Sequence, residues 1–279
     1  MERVLQNTAP TISATFYVDG VGTNPTPDTA TVEITTADGT VLVPSTAATN
    51  DANGKFTYQL TTTHTALLDS LTVEWTSNFG TVVTHVEVAG GFLFSTADAL
   101  GDTEINDPQS VTTAAEIASA RTMAEQAFEN VCGVAFVPRY ALETGLNGDG
   151  SYRLPLRWPH IRAFRSGTVD DTALTVGEVG AVVPQSTGVY NPSGWTSGYG
   201  NVAVGYEHGY DYPPPEVSRA VLRLAKHYLT DWSADDRALR LDTDAGSYVM
   251  AVPGRGGSDF GIPEVDAVAQ RYSHYVPLG

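Results

Sequence analysis

The side chains best suited to proton transfer are a histidine and an aspartate three residues apart, in Glu207-His208-Gly209-Tyr210-Asp211. An imidazole beside a carboxylate can serve as a general base whose tautomer the carboxylate fixes. The same five residues also fit a turn between a strand and the following Pro213-Pro214-Pro215, with His208 partly exposed, and that is the favoured reading. His64, His85, His160, His227 and His274 are scattered without metal-ligand spacing. Cys132 is the single cysteine, so neither an intramolecular disulfide nor a cysteine-based zinc site can form. It follows an apolar helix-like stretch and reads as a packed thiol. Asp170-Asp171 and Asp235-Asp236 are adjacent pairs in polar stretches. Neighbouring side chains diverge in strand or helix, so solvated turns explain them better than acid–base work. Asp242 and Asp244 lie near the second pair, but their spacing fixes no cation geometry. No nucleophile elbow, Walker loop or dinucleotide fingerprint occurs. The glycine-rich stretch 194–200 holds no lysine and opens no helix, so it has no phosphate cradle. No catalytic residue, metal ligand or cofactor-binding residue is assigned, and the chain is expected not to be an enzyme.

The residues that remain are suited to recognition. Arg153, Arg157, Arg162 and Arg165 are interleaved with Tyr152, Trp158 and Phe164. At alternate spacing Arg153 and Arg157 share a face opposite Tyr152, Leu154, Leu156 and Trp158. This face is a contact surface for passing DNA or an acidic neighbour, or else a solvated strand face that balances local charge. The background is acidic: 32 Asp and Glu against 15 Lys and Arg leave a formal charge of −17. That charge opposes free duplex binding, which needs clustered cations. It is compatible with a wall past which DNA slides, or simply with solubility.

Stepping outward from these residues, the first ninety positions alternate apolar and polar in short runs, the period of half-buried strands. The inward sets are Ala14, Phe16 and Val18; Val32 and Ile34; Val41 and Val43; Phe56, Tyr58 and Leu60; Leu71, Val73 and Trp75; Val82, Val86 and Val88. Asp19-Gly20, Asp38-Gly39, Asn53-Gly54 and Phe79-Gly80 separate them as turns. Six or seven strands so spaced predict an immunoglobulin-like sandwich over 1–92. The remainder, 93–279, is expected as a second, helical domain with a strand insertion, giving an α+β chain. Helices are expected near 95–105, 113–131, 214–231 and 263–275, the first opened by a Ser95–Asp98 capping box and closed at Asp107-Pro108. Ile117, Ala120, Ala124, Phe128 and Val131 line the second; Val217, Val221, Leu224 and Tyr228 line the third. The insertion covers about 151–206, with a strand at Ala173-Leu174-Thr175-Val176 and an exposed loop over 185–200. An extended or mobile arm runs over 239–262, rich in Gly and Pro. The last helix is too short to stand alone and must dock on its own domain or on a partner. No run approaches the roughly 18 apolar residues of a membrane span. Met1-Glu2-Arg3-Val4-Leu5 lacks a signal-peptide core. A soluble protein made in the cytosol is expected.

Four segments in order resemble the head-to-tail connector, or adaptor, proteins of long-tailed bacteriophages. They are Ala114-Ala115-Glu116-Ile117-Ala118-Ser119-Ala120-Arg121 running to Val137-Pro138-Arg139; Val202-Ala203-Val204-Gly205-Tyr206-Glu207-His208-Gly209-Tyr210 before the prolines; Ala220-Val221-Leu222-Arg223-Leu224-Ala225; and Phe260-Gly261-Ile262-Pro263-Glu264-Val265 with Arg271-Tyr272. The resemblance spans about 94–275 and leaves the sandwich as an addition. It implies a virion protein at the head–tail junction, made in the host cytoplasm and assembled as a ring, usually of twelve subunits. The ring would lie beneath the portal protein, with a stopper or next neck protein below and genomic DNA passing through without sequence-specific binding. Under it, Ile262, Val265, Val268 and Tyr272 dock on the portal or a neighbouring subunit, and Trp195 and Tyr199 mark a lower-ring loop. Truncation before Phe260 would then abolish docking and leave the fold intact. The alternative is an adhesion or carbohydrate-binding module that uses exposed aromatics such as Trp195 and Tyr199.

Overall fold

The computed structural model describes residues 1–23, 29–101, 113–229, 240–243, 246–249 and 259–273, with only the backbone described over 240–249. The chain is mixed α+β, mostly sheet, and divides into two compact units. One is Met1–Gly91 with Val137–Asp211; the other is Phe92–Phe136 with Tyr212–Gly279. The strands between residues 139 and 208, expected beside the helices, thus belong to the same unit as the first ninety residues.

In the first unit the N-terminal strands are β1 (Glu2–Leu5), β2 (Thr11–Thr15), β3 (Tyr17–Val18), β4 (Val21–Gly22), β5 (Thr31–Thr35), β6 (Val41–Ala47), β7 (Thr49–Asn50), β8 (Lys55–Gln59), β9 (Asp69–Ser77) and β10 (Gly80–Ala89). They form a five-stranded sheet, β1-β10-β9-β5-β6, and a three-stranded sheet, β2-β8-β7, with β3 and β4 as a small hairpin. Ile12, Phe16 and Phe56 from one side meet Val32, Ile34, Val73, Trp75, Val86 and Val88 from the other in one apolar core. The alternation predicts this because a period of two puts every second side chain on the buried face. Val41 departs from it. Thr35 pairs with Val41 and Ile34 with Val43, so β6 carries an extra residue at a bulge. The bulge turns Val41 outward, and it is 53% exposed. At the Asn53-Gly54 turn both residues have positive φ, and a Cβ on Gly54 would lie 2.6 Å from the Thr23 backbone, so only glycine fits there.

The same unit continues with β11 (Arg139–Gly148), β12 (Arg153–Pro155), β13 (Ile161–Val169), β14 (Thr172–Ala173), a short helix at Val176–Ala181, β15 (Val183–Gln185), β16 (Gly188–Tyr190) and β17 (Gly198–His208). These build a four-stranded sheet, β11-β17-β13-β14, and a three-stranded sheet, β12-β16-β15. Leu154, Leu156, Val189, Trp195, Val202, Val204 and Tyr206 pack between them. Glu87 on β10 accepts from Arg3 Nε at 3.0 Å and forms an ion pair with Arg139 at 3.3 Å, and Arg165 Nη1 donates to the Leu68 carbonyl at 3.2 Å. The Gly90 N–H donates to Pro138 O at 2.8 Å. The strand expected at 173–176 ends at Ala173. Thr175 caps the helix reciprocally with Glu178, and that Thr-x-x-Glu box overrides the β-branched run before it.

The second unit holds four helices, which with the short one above are α1 (Thr96–Gly101), α2 (Ala114–Cys132), α3 (Val176–Ala181), α4 (Pro215–Leu229) and α5 (Pro263–Tyr272). Ser95 and Asp98 exchange hydrogen bonds at the start of α1. Thr113 and Glu116 form a capping box on α2, which ends at Gly133 with φ 65°. The expected stripe of α2 is buried at Ile117, Ala120, Ala124 and Phe128. Val131 is only half-buried and Cys132 takes the inward place, one residue round the helix. On α4, Val217, Val221 and Leu224 are buried while Tyr228 is 40% exposed. α2, α4 and α5 pack on one another. Within the expected arm, Arg240–Thr243 (β18) and Gly246–Val249 (β19) pair antiparallel as a hairpin. The rest of the arm up to residue 258 lies outside the described residues, as does Asp107-Pro108.

Two carboxylates on the inner side of α2 end the loops around it. Glu125 Oε1 accepts the Leu93 N–H at 2.7 Å and Glu129 Oε1 accepts the Phe136 N–H at 3.0 Å; both side chains are buried. Removing such an acceptor leaves a buried donor unpaired, at a cost of about 2–4 kcal/mol. Glu129→Ala is therefore expected to lower the urea midpoint accordingly. Glu129→Gln, which keeps an amide oxygen for Phe136, should lose less.

Candidate functional site

His208 ends β17 and is buried, not partly exposed as a turn residue would be. Its ring stacks on Trp158 at 5.2 Å and 13° and lies 5.7 Å from Tyr206. Asp211 does not reach it: that carboxylate pairs with Arg162. The imidazole–carboxylate pair of the sequence is therefore not assembled. His208 Nδ1 has no hydrogen-bond partner among the described residues. Burial disfavours the imidazolium and pushes the pKa down to about 4. An unfolded histidine takes its proton near pH 6.5, so between about 6.5 and 4 the unfolded chain binds more protons and stability falls as pH drops. The loss over that window is at most roughly 3 kcal/mol. His208→Phe, which preserves the stack, is expected to flatten this dependence in urea melts at pH 7 and pH 4.5. An unchanged pH slope would assign it to other groups.

The four arginines separate into two pairs. Arg162 and Arg165 project from β13 and are both engaged: Arg162 with Asp211, Arg165 with Glu207 at 3.0 Å and over the Tyr140 ring at 5.3 Å. The side chains of Arg153 on β12 and Arg157 just beyond it are exposed and pair with no carboxylate among the described residues, while the Arg157 backbone N–H donates to Glu143 Oε1 at 2.9 Å. The guanidinium of Arg157 lies 5.2 Å from the Trp158 ring. Leu154 and Leu156 point inward between them, as the alternation predicts, but Tyr152 is 55% exposed and rests on Tyr190 at 5.9 Å.

The loop expected over 185–200 is interrupted by strand at 188–190 and enters β17 at 198, with turn and irregular backbone between. β15 and β16 pair across it, and Trp195 is fully buried, which corrects its placement as an exposed aromatic. Its backbone N–H donates to Ser151 O and its carbonyl accepts from Gly150, both at 2.8 Å, which draws the indole under the sheet. Tyr199, four residues on, is 95% exposed. The C-terminal set is also divided. Val265 is buried against helices of its own chain, while Ile262, Val268 and Tyr272 are half-buried. Tyr272 packs edge-on to Phe136 at 5.6 Å and donates to Glu216 Oε1 at 2.7 Å.

Of the carboxylate pairs, Asp170 and Asp171 both adopt positive φ at the tip joining β13 and β14, the turn expected of them. Asp235, Asp236 and Asp244 lie outside the described residues, and only the backbone of Asp242 is described. No cluster of three metal-ligating side chains occurs among the described residues. No helix among them is long and apolar enough to cross a membrane. Sequence reasoning passed over one pair. Glu33 on β5 and Glu74 on β9 are direct cross-strand partners on the outward face of the five-stranded sheet, a juxtaposition visible only once the strands are in register.

No family model matches the chain, and no curated protein matches it. Among solved structures, a chain from the ZIG-8–RIG-5 IG1–IG1 heterodimer is similar over 31% of this chain and 79% of its own, at 10% identity and TM-score 0.21. A chain in the neck of a native gene transfer agent particle, computed with C12 symmetry, is 15% identical with TM-score 0.41, over 68% of this chain and 97% of that one. A chain in the neck of the empty particle, computed with C6 symmetry, is 15% identical with TM-score 0.47, over 67% and 92% respectively.

Proposed function

We propose that this chain is a structural, non-enzymatic neck protein of a phage-like particle. It forms a ring beneath the portal, joins the DNA-filled head to the tail and extends the DNA channel, and it carries an immunoglobulin-like sandwich in addition. The observation that supports this reading best is the convergence of three of the four connector-like segments. The segments beginning at residues 114, 220 and 260 are far apart in sequence, yet they become α2, α4 and the Phe260–α5 stretch of one helical unit. Phe128 from the first stacks on Phe260 from the last at 5.8 Å and 15°. Ile262 and Val268 keep part of their surface for a portal or a neighbouring copy, whereas Val265 belongs to the helical core. Tyr199 is the aromatic that remains for a next neck protein, since Trp195 is internal. The same burial removes one of the two rings on which a carbohydrate-binding reading depended.

Electron microscopy of intact particles labelled with gold-conjugated antibody against this chain tests the reading. Label confined to the head–tail junction is expected. Label at the tail tip, or no label on particles shown to expose the epitope, overturns it.

A further inference from the structure

Among the described residues of the first unit, two pairs of charged side chains, of opposite sign, have no counter-charge. Its other basic side chains are all engaged by carboxylates: Arg3 and Arg139 on Glu87, Lys55 on Asp51, Arg162 on Asp211 and Arg165 on Glu207. Only the guanidinium groups of Arg153 and Arg157 lack a carboxylate partner within the described residues, the Glu143 carboxylate being bound to the Arg157 backbone N–H, although acidic groups outnumber basic ones about twofold in the whole chain. Both lie on one outward face. Arg153, Tyr190 and Val183 are in register across β12, β16 and β15 and therefore point the same way. Leu154 and Leu156 are buried while Arg157 is exposed, so Arg157 leaves on the outward side at the bend that follows β12. Tyr152 packs on Tyr190, and Val183 is 52% exposed. Arginine and tyrosine around a modest apolar centre is the composition of protein contact surfaces.

The acidic counterpart is the Glu33–Glu74 pair. Like charges directly opposite on a sheet repel, and no cation among the described residues relieves them. Val83, the cross-strand partner of Glu74 on its other side, is 50% exposed. Each face thus offers two like charges and an exposed valine, and the charges are opposite.

We infer that the Arg153–Arg157 face of one copy of this chain docks on the Glu33–Glu74 face of the next. The contact is head-to-tail, so it propagates and closes into a ring when the rotation per copy permits. It rests on the ring reading above and names the surfaces that would build that ring. Free DNA is a poorer occupant of the arginine face, because Arg162 and Arg165 are already neutralised and no continuous cationic track remains for phosphates.

The test uses the purified full-length chain carrying Pro155→Cys and Thr76→Cys, beside the two faces, and a short bis-maleimide cross-linker; the buried Cys132 does not compete. A ladder of multimers extending beyond the dimer is expected, and neither single-cysteine chain should cross-link to itself. In that background Arg153→Glu with Arg157→Glu, or Glu33→Arg with Glu74→Arg, should raise the protein concentration needed for the ladder by roughly tenfold or more. Equal amounts of the two reversed chains should restore it, since each head then meets a complementary tail. The inference is overturned by no ladder from the parent chain, by a ladder indifferent to both reversals, or by no restoration from reversed chains that melt like the parent. Dimers from a single-cysteine chain overturn it in favour of a symmetric contact. A ladder unchanged by arginine reversal, with loss of retention on a DNA column, overturns it in favour of nucleic acid. Gold label at the neck without a ladder removes this contact and leaves the neck reading; a ladder with label at the tail tip does the opposite.

Discussion

Deleting residues 260–279 is expected to make Cys132 reactive toward thiol reagents and to lower the stability of the helical unit by on the order of 4–6 kcal/mol. The deletion removes α5 together with Phe260. Val265 and Ala269 are buried, Phe260 stacks on Phe128, and Tyr272 covers the edge of Phe136. Cys132 Sγ lies 3.7 Å from the Ala269 carbonyl at the same junction. Its thiol pKa is pushed up to about 12, chiefly by burial and further by the Glu129 and Asp259 carboxylates. A thiol of that kind is almost wholly protonated at neutral pH and does not attack. Because the chain has a single cysteine, Ellman's reagent reads this one junction. The intact protein should react only in denaturant, and the truncated protein at once. The ion pairs between α5 and α4, Arg223–Glu264 and Arg271–Glu216, are largely exposed, and breaking them should matter little. Thus Arg223→Ala should leave the thiol protected, and Val265→Asp should expose it. Retained protection in the truncated chain would mean that α5 only rests on the unit, as the sequence-based expectation of an intact truncated fold requires.

Trp195→Ala should destabilise the first unit by about 3–5 kcal/mol, the usual cost of emptying a fully buried aromatic site. The indole is enclosed by the core that contains Leu154, Val189, Val202 and Tyr206, with Phe164 edge-on at 6.3 Å. Its Nε1 has no partner among the described residues, so truncation sacrifices no hydrogen bond there and the loss is one of packing. Tyr199→Ala, at a ring 95% exposed, should shift stability by no more than about 0.5 kcal/mol. Urea unfolding of the two variants separates core from surface within four residues of sequence. Equal, small effects would return Trp195 to the surface, and with it the stacking role that the alternative reading requires.

Much of the local structure was legible because it depends on near neighbours. The strand alternation around Val32, Val73 and Val86, the Thr113–Glu116 cap and the positive φ at the Asn-Gly and Asp-Gly turns each follow from residues within a few positions. A local signal was also available but unread at Thr175-x-x-Glu178, where the capping box starts α3. The Val41 bulge was beyond such reasoning, since the extra residue in β6 is defined only against β5.

The candidate site depended on contacts across long stretches of chain. Pairing of Asp211 with Arg162 instead of His208 is decided across 49 residues. The burial of Trp195 requires Ser151 and Gly150 to take up its backbone. By itself, then, the sequence determined the element types, most inward-facing residues, the acidic balance and the lack of disulfide or cysteine-ligated metal. These are set by periodicity, composition and short-range hydrogen bonding. Tertiary structure alone decided which arginines are neutralised, that Glu33 faces Glu74, and that α5 seals Cys132 within its own unit. Charge pairing and burial are properties of what lies across the fold, and strand register and helix packing bring those partners together.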